Sequence, residues 1–381
     1  MALVSAVFLA LAAIGAVYYV LSTVALVACF RGKPATPSAD IAPTVSVLKP
    51  VCGIDKDAEA NFASYLAQDY PNYEVLFGVL EASDPAIGVI LDCIQGNKQA
   101  SLHIGTTIRG VNNKVRVLHQ LAKHAGGEII VVTDADTRAR TDFLNAMVAP
   151  FEDENVGVVT CLYKGTQATT LGDTLEGLHM TCTFAPGVAC ARWLRGLDFG
   201  LGAAIAIRAA VLPRIGGFER IVDYLADDYQ LGHLPARLGY KVELSKYVME
   251  DVLSGQGLME VLARDLRWSR TTRASRPAGH LGVALTFGVA YALLYLAATG
   301  FSPTGWMCLG SVLAVRFATA SIGAFSCLGD KEFPRRLWLL PIRDLLSFGV
   351  WLVGYAGKDV TWRGRRLRVM SNGLLSDRPT G

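Results

Sequence analysis

From Ala2 to Phe30 the chain carries no charged side chain, and Arg31 and Lys33 follow at once. A helix needs ~20 apolar residues to cross a bilayer core of ~30 Å, so this run is long enough to span. A cleaved signal peptide fits less well: no basic stretch precedes the run, and it exceeds the about 7–15 apolar residues such peptides use. The expectation is an uncleaved anchor over residues 1–30, with Arg31 and Lys33 on the cytoplasmic side. A Pro/Ala/Ser linker, Pro34 to Pro43, leads onward.

The rest of the chain divides by charge. Charged residues make up 18% of the sequence, against ~25% in a typical soluble domain, and the deficit sits at the two ends. Past Pro277, Leu281 to Phe301 is uncharged, Trp306 to Phe325 is interrupted only by Arg316, and Leu337 to Tyr355 holds Arg343 and Asp344 at its middle. An ionisable residue at mid-membrane costs ~2.5–3.5 kcal/mol. A fourth full span would also export Arg363, Arg365, Arg366 and Arg368 against the positive-inside bias. Three spans are therefore expected, with Leu337–Tyr355 interfacial or re-entrant within a membrane segment over 281–357. A basic cytoplasmic tail over 358–381 would follow, making a multi-pass membrane protein whose middle faces the cytoplasm. The net charge of +3 is too mild to imply a nucleic-acid partner. The eight cysteines show no C-x-x-C spacing and read as free, reduced thiols.

The middle, residues 44–276, alternates short apolar runs with helical spacing. Thr44–Leu48, Tyr73–Val79 and Glu128–Thr133 read as strands, and Asp57–Gln68, Pro85–Ile94 and Lys114–His124 as helices. That alternation predicts an α/β domain with a mostly parallel sheet, whose ligand site lies at the carboxyl ends of its strands.

There the apolar strand Val131-Val132-Thr133 runs into Asp134-Ala135-Asp136. Two carboxylates one residue apart at a strand end can share a hard cation whose remaining ligands are water and phosphate oxygens. The alternative is a solvated turn capping the next helix. Asp227 and Asp228 stand side by side among apolar and aromatic residues. Such a setting raises a carboxylate's pKa and suits a general base, although first-turn acids of a helix would look the same. Arg264 and Arg267, followed by Arg270, Arg273 and Arg276, suit a departing diphosphate and Trp268 a cover over the acceptor sugar or lipid entrance; the alternative is an interfacial helix with its arginines facing anionic headgroups.

As an ordered set these residues resemble the membrane-anchored, inverting glycosyltransferases of the type A nucleotide-sugar (GT-A) fold, above all the ceramide glucosyltransferase family. The matching stretches are Ser46–Pro50, Cys52-Gly53 with Asp55, Tyr70-Pro71 with Tyr73-Glu74, and Ser83–Ala86. Asn113-Lys114, Asp134–Asp136, Gly216–Phe218, Ala226–Tyr229 and Arg264–Trp268 complete the set. The resemblance implies a GT-A domain over 44–276 with Asp84 near the uridine and Lys114 in the nucleotide-sugar site. It implies Mg2+ or Mn2+ on Asp134 and Asp136, Asp228 as general base, and Arg264, Arg267 and Trp268 as an (Q/R)-x-x-R-W motif. The implied activity moves a hexose from a UDP-sugar, UDP-glucose first, to the hydroxyl of a membrane lipid, ceramide first. Bacterial enzymes that glycosylate hopanoids, with UDP-GlcNAc as a possible donor, share much of the motif set. A processive polysaccharide synthase would use more spans, and a non-catalytic membrane protein would have lost one of the four acidic positions.

Overall fold

The computed structural model describes residues 2–32, 42–362, 365–370 and 373–376. Lys33, most of the Pro34–Pro43 linker and Arg363 lie outside the described residues. The chain divides into two units. One comprises Gly32–Gln167 and Arg195–Ser254, the other Met1–Arg31, Ala168–Leu194 and Gly255–Gly381.

The first unit is built on one eight-stranded sheet. Its strands are β1 (Val45–Val51), β2 (Tyr73–Val79), β3 (Ala100–Ile104), β4 (Ile129–Thr133), β5 (Thr137–Arg138), β6 (Val156–Thr166), β7 (Ala204–Arg208) and β8 (Lys241–Val252). They lie in the order β3-β2-β1-β4-β7-β6-β8-β5. The expected parallel arrangement occupies β3 to β4, with Val47 facing Val75 on one side and Val131 on the other. Beyond β4 the sheet is mixed, because β7 runs antiparallel to both β4 and β6. β1 and β4 are buried along their whole length, as strands covered on both faces must be. Their side chains join Phe62, Tyr65, Phe77, Phe143 and Met249 in the main core.

The helices Ala58–Leu66, Ala86–Ile94 and Asn113–Ala122 fall close to their expected places. β1 does not stop before Lys49. It carries Lys49 and Pro50 onward to Val51, opposite Phe77 and Gly78 of β2, and this brings Lys49 under the site described below.

In the second unit, Ala2–Phe30, Pro303–Leu328 and Phe333–Gly354 are long and apolar enough to cross a membrane. A pair of helices, Pro277–Thr286 and Gly288–Ala298, bent by 55°, would make a fourth. The expected candidates are thus redistributed: the stretch from Leu281 is broken, and the one around Arg343 and Asp344 forms a continuous helix. The cost that argued against that helix is offset inside the unit. Arg343 Nη1 lies 2.6 Å from Asp265 Oδ2, and Asp344 Oδ1 accepts from Arg316 Nη2 at 2.7 Å. The break is a close crossing, since a Cβ on Gly15 would lie 2.4 Å from Gly288 Cα, an approach only glycine permits.

Residues 168–194 join this unit although the sequence placed them in an unbroken middle. The helix Leu171–His179 buries Leu175 and Leu178 in a cluster with Ala320, Ala324, Phe333, Leu339 and Leu340. Its buried Asp173 accepts from Thr169 N at 3.0 Å, Thr169 Oγ1 at 3.2 Å, Gly255 N at 3.1 Å and Gln256 N at 2.9 Å. The segment read as a basic tail forms a small antiparallel sheet of β9 (Asp359–Trp362), β10 (Arg365–Val369) and β11 (Leu375–Ser376). All eight cysteines are free.

Candidate active site

The chain leaves β4 at Thr133 and turns through Asp134-Ala135-Asp136 before β5 begins at Thr137. The turn is pinned at both ends. Lys49 Nζ donates to the Asp134 carbonyl at 2.7 Å, as does Thr137 Oγ1 at 2.7 Å, and the Asp136 carbonyl accepts from Val252 N at 2.8 Å. Lys49 is fully buried, with its ammonium 3.8 Å from the centroid of the Tyr65 ring. Burial pulls its pKa down to about 7, against the opposing pull of Asp136, Asp134 and Asp55.

A second lysine reaches the carboxylates themselves. Asn112 caps the helix Asn113–Ala122 by accepting from Val115 N at 3.2 Å, which fixes the first turn. From that turn Lys114 Nζ lies 2.5 Å from Asp134 Oδ1 and 3.5 Å from Asp227 Oδ2. Asn112 Nδ2 donates to Asp227 Oδ1 at 3.2 Å and to the Tyr224 carbonyl at 2.9 Å. Burial alone would depress Lys114, but Asp134 and Asp227 hold it above the usual lysine range.

Asp228 stands in the first turn of the helix Asp227–Arg237, so that reading of the acidic pair holds too. The helix seats on the Phe199-Gly200 backbone, where a Cβ on Gly232 would lie 2.1 Å from Gly200 N. A Cβ on Gly202 would lie 3.3 Å from Asp228 Oδ2 and 3.6 Å from Asp134 Oδ2. The two carboxylates therefore border one spot kept clear of side chains. Burial, then the neighbouring Asp227, pushes Asp228 up to about 7, while Lys114 opposes. Burial, then Asp134 and Asp55, pushes Asp136 up to about 6.

Asp84 is held differently. Its Oδ1 accepts from Gly53 N at 3.1 Å and Ala86 N at 2.9 Å, and its Oδ2 from Gly53 N at 3.1 Å. The carboxylate thus ties the Cys52-Gly53 turn, where Gly53 takes φ +75°, to the following helix.

Arg264, Arg267 and Trp268 lie on the helix Leu258–Ser275 of the other unit. There Arg264 is ion-paired with the buried Glu176, and its guanidinium lies 5.7 Å from the Trp268 ring centroid. Arg270 and Arg273 donate to the carbonyls of Ala356, at 2.8 Å, and Tyr355, at 2.6 Å, beyond the helix Leu340–Gly354, satisfying acceptors that a helix end leaves open.

Sequence reasoning missed Lys49, Asn112 and Gly202, and missed that Asp227 pairs with Lys114. Only Lys49 carried a local signal, a lysine inside an otherwise apolar strand.

Among the described residues no group of three or more His, Cys, Asp or Glu side chains is arranged to hold a metal ion. The carboxylates of Asp134 and Asp136 nevertheless offer oxygen ligands only, and a spot bordered by Asp134 is kept open at Gly202. Mg2+ and Mn2+ are commonly held by one or two carboxylates plus substrate phosphates. The residues fit a cation that arrives with a diphosphate.

Gly202→Ala tests the open spot, because its backbone does not require glycine. The added methyl, 3.3 Å from Asp228 Oδ2, should lower kcat about tenfold by displacing that carboxylate, with an unchanged melting temperature. An unaltered kcat would show that the spot is not used.

Comparison with known proteins places the chain. The model of glycosyl transferase family 21 matches residues 7–375, and the chain belongs to that family. Ceramide glucosyltransferase 3 of Caenorhabditis elegans is 26% identical over 244 residues, covering 62% of this chain and 52% of that protein. Ceramide glucosyltransferase 1 of the same organism is 24% identical over 273 residues, covering 65% and 56%. The chain thus spans about half the length of the curated relatives it matches. A mannosyltransferase from Pyrobaculum calidifontis, solved in complex with GDP-Man and Mn2+, superposes with a TM-score of 0.51 at 20% identity, over 91% of this chain and 99% of that one. That likeness shows the GT-A fold.

Proposed function

We propose that the chain transfers a hexose from a UDP-sugar to the hydroxyl of a membrane lipid with inversion, UDP-glucose and ceramide being the first candidates. The observation that carries this reading is the Asp228 carboxylate, raised to about 7 and bordering the same open spot as Asp134. A base poised near the working pH suits removal of a hydroxyl proton. Asp228 takes that proton as the lipid oxygen bonds to the anomeric carbon. The bond from that carbon to the diphosphate breaks, and its electron pair leaves with UDP. A single displacement turns an α-linked donor into a β-glycoside.

Asp134 and Asp136 would hold Mg2+ or Mn2+, which when bound neutralises charge on the departing diphosphate. Lys114 keeps a positive charge beside Asp134 throughout, and Lys49 fixes the Asp134 carbonyl so that the turn keeps its shape. Asp84 is the residue proposed for the uridine. Arg264, Arg267 and Trp268 are proposed for nucleotide-sugar binding on the strength of the family motif. Membrane attachment is proposed as multi-pass, with the catalytic unit in the cytoplasm, following the basic residues that flank the apolar runs.

The test is purified protein supplied with UDP-glucose, UDP-GlcNAc or UDP-galactose and with ceramide, hopanoid or diacylglycerol, scored by mass spectrometry. One β-linked hexose on ceramide is the expected product. A hopanoid product would move the acceptor assignment, a ladder of sugars would make the enzyme processive, and no glycolipid from any pair would overturn the reading. Chelation by EDTA should abolish product, and added Mn2+ or Mg2+ should restore it. Full turnover in EDTA would remove the cation from Asp134 and Asp136.

A further inference from the structure

We propose that Glu176 is a positioning residue for the donor: its carboxylate holds the Arg264 guanidinium in the orientation that takes a diphosphate oxygen. Glu176 acts through Arg264, so its role rests on the reading of Arg264 as a ligand of the nucleotide-sugar. The helices that carry the two residues are fastened to each other at their starts. Thr170 caps the helix Leu171–His179 by accepting from Asp173 N at 3.0 Å. Asp173 in turn accepts from Gly255 N at 3.1 Å and Gln256 N at 2.9 Å, just before the helix Leu258–Ser275 begins. A Cβ on Gly172 would lie 2.4 Å from the Gln256 carbonyl oxygen, so the two starts are in direct contact. Glu176 follows Asp173 by three residues and shares its face, and Arg264 follows Gly257 by about two turns. Leu175 and Leu178 pack with Phe333, Leu339 and Leu340, and Leu258 joins the same cluster. The Glu176 side chain, 2% exposed, therefore stands on an element that is clamped from two directions.

The guanidinium is held without being saturated. Arg264 Nη2 donates to Glu176 Oε2, and the Trp268 ring centroid lies 5.7 Å from the guanidinium carbon. Arg264 Nε is buried and has no hydrogen-bond partner, while the side chain as a whole is 21% exposed. A guanidinium carries its donors in a rigid fork, so fixing one nitrogen and the plane fixes where the others point. Asp265, the acid next to Arg264 in the sequence, is committed to Arg343 at 2.6 Å. A buried ion pair gives little net stability over apolar residues of similar volume, which makes stability a weak reason for a carboxylate at position 176. What the pair supplies is order, because an arginine already held in place loses less freedom when an anion binds.

Isothermal titration of the full chain in detergent with UDP and Mn2+ measures the effect, with melting temperatures read alongside. Arg264→Ala should weaken UDP binding about tenfold, the loss of a charge-assisted hydrogen bond. Glu176→Ala should weaken it by a similar factor. The double variant should bind no more weakly than Arg264→Ala alone, since Glu176 acts only through that side chain. Glu176→Gln, whose amide oxygen can still accept from Arg264, should stay within about threefold of the unaltered protein. A merely structural carboxylate would behave otherwise: Glu176→Ala would melt earlier yet bind UDP as before, and that result would overturn the proposal. Losses that multiply in the double variant would overturn it too. If Arg264→Ala itself left UDP affinity unaltered, the reading of Arg264 as a donor ligand would fall first, and the role of Glu176 with it.

Discussion

Replacing Asp228 with asparagine is expected to lower kcat by about 10²–10⁴-fold, the contribution typical of a general base, while UDP-sugar binding persists. Asparagine preserves the shape and can still accept from Tyr229 N, as Asp228 does at 2.8 Å, but it cannot take a proton. The unaltered protein should show a matching pH dependence. Burial and Asp227 raise the Asp228 carboxyl to about 7, and only its ionised form is a base, so turnover should fall as pH drops through that value and level off above it. Saturating cation near Asp134 would favour the ionised form and move the midpoint lower. The variant's residual rate should lack this acidic limb. Near-normal turnover by Asp228→Asn, or the same limb in both proteins, would take the base role away from this residue.

Asp265→Ala is expected to destabilise the second unit by about 3–5 kcal/mol, the usual cost of leaving a buried charge without its partner. Arg343 is 1% exposed and its Nη1 lies 2.6 Å from Asp265 Oδ2. Removing the carboxylate strands a guanidinium among apolar helices, and Arg343→Leu alone strands Asp265 in the same way. The double replacement Asp265→Leu with Arg343→Leu removes both charges and should recover most of the loss, because a buried pair gives little net stability over apolar residues of similar volume. Thermal midpoints in detergent for Asp265→Leu, Arg343→Leu and the double replacement form the cycle. Strictly additive losses would mean that the pair is not coupled.

What the sequence revealed depended on whether a feature was local. β2 carries its apolar signal within itself, and the expected bounds Tyr73–Val79 match the observed ones. The approach of Asp134 and Asp136 to a strand terminus was legible for the same reason, since β4 is an apolar run that stops at those carboxylates. Lys49 reads as the end of its strand, because a lysine and a proline look like a boundary. Its burial depends on partners some 85 residues away in the sequence. The link from Asn112 to Asp227 crosses 115 residues, and no spacing rule bridges that. Arg343 and Asp344 looked like one costly pair within a helix. Each in fact has a different partner on a different segment, which the linear charge pattern conceals. The Gly15 and Gly288 crossing, which lies at the bend in the apolar run from Leu281, likewise appears only once two helices are in contact.

The Asp173 carboxylate gathers amide groups at Gly255 and Gln256, 82 and 83 residues further along. Everything between Arg195 and Ser254 belongs to the other unit. On a ribosome, the helix that carries Asp173 therefore emerges before the residues that complete its hydrogen bonds, and it must wait while the last segment of another unit, Arg195–Ser254, is made. Loop closure over such a span is entropically costly and long-range contacts slow folding. Assembly of this buried acid is accordingly a late event in the birth of the chain, and the helix Leu171–His179 stays without those partners until it happens.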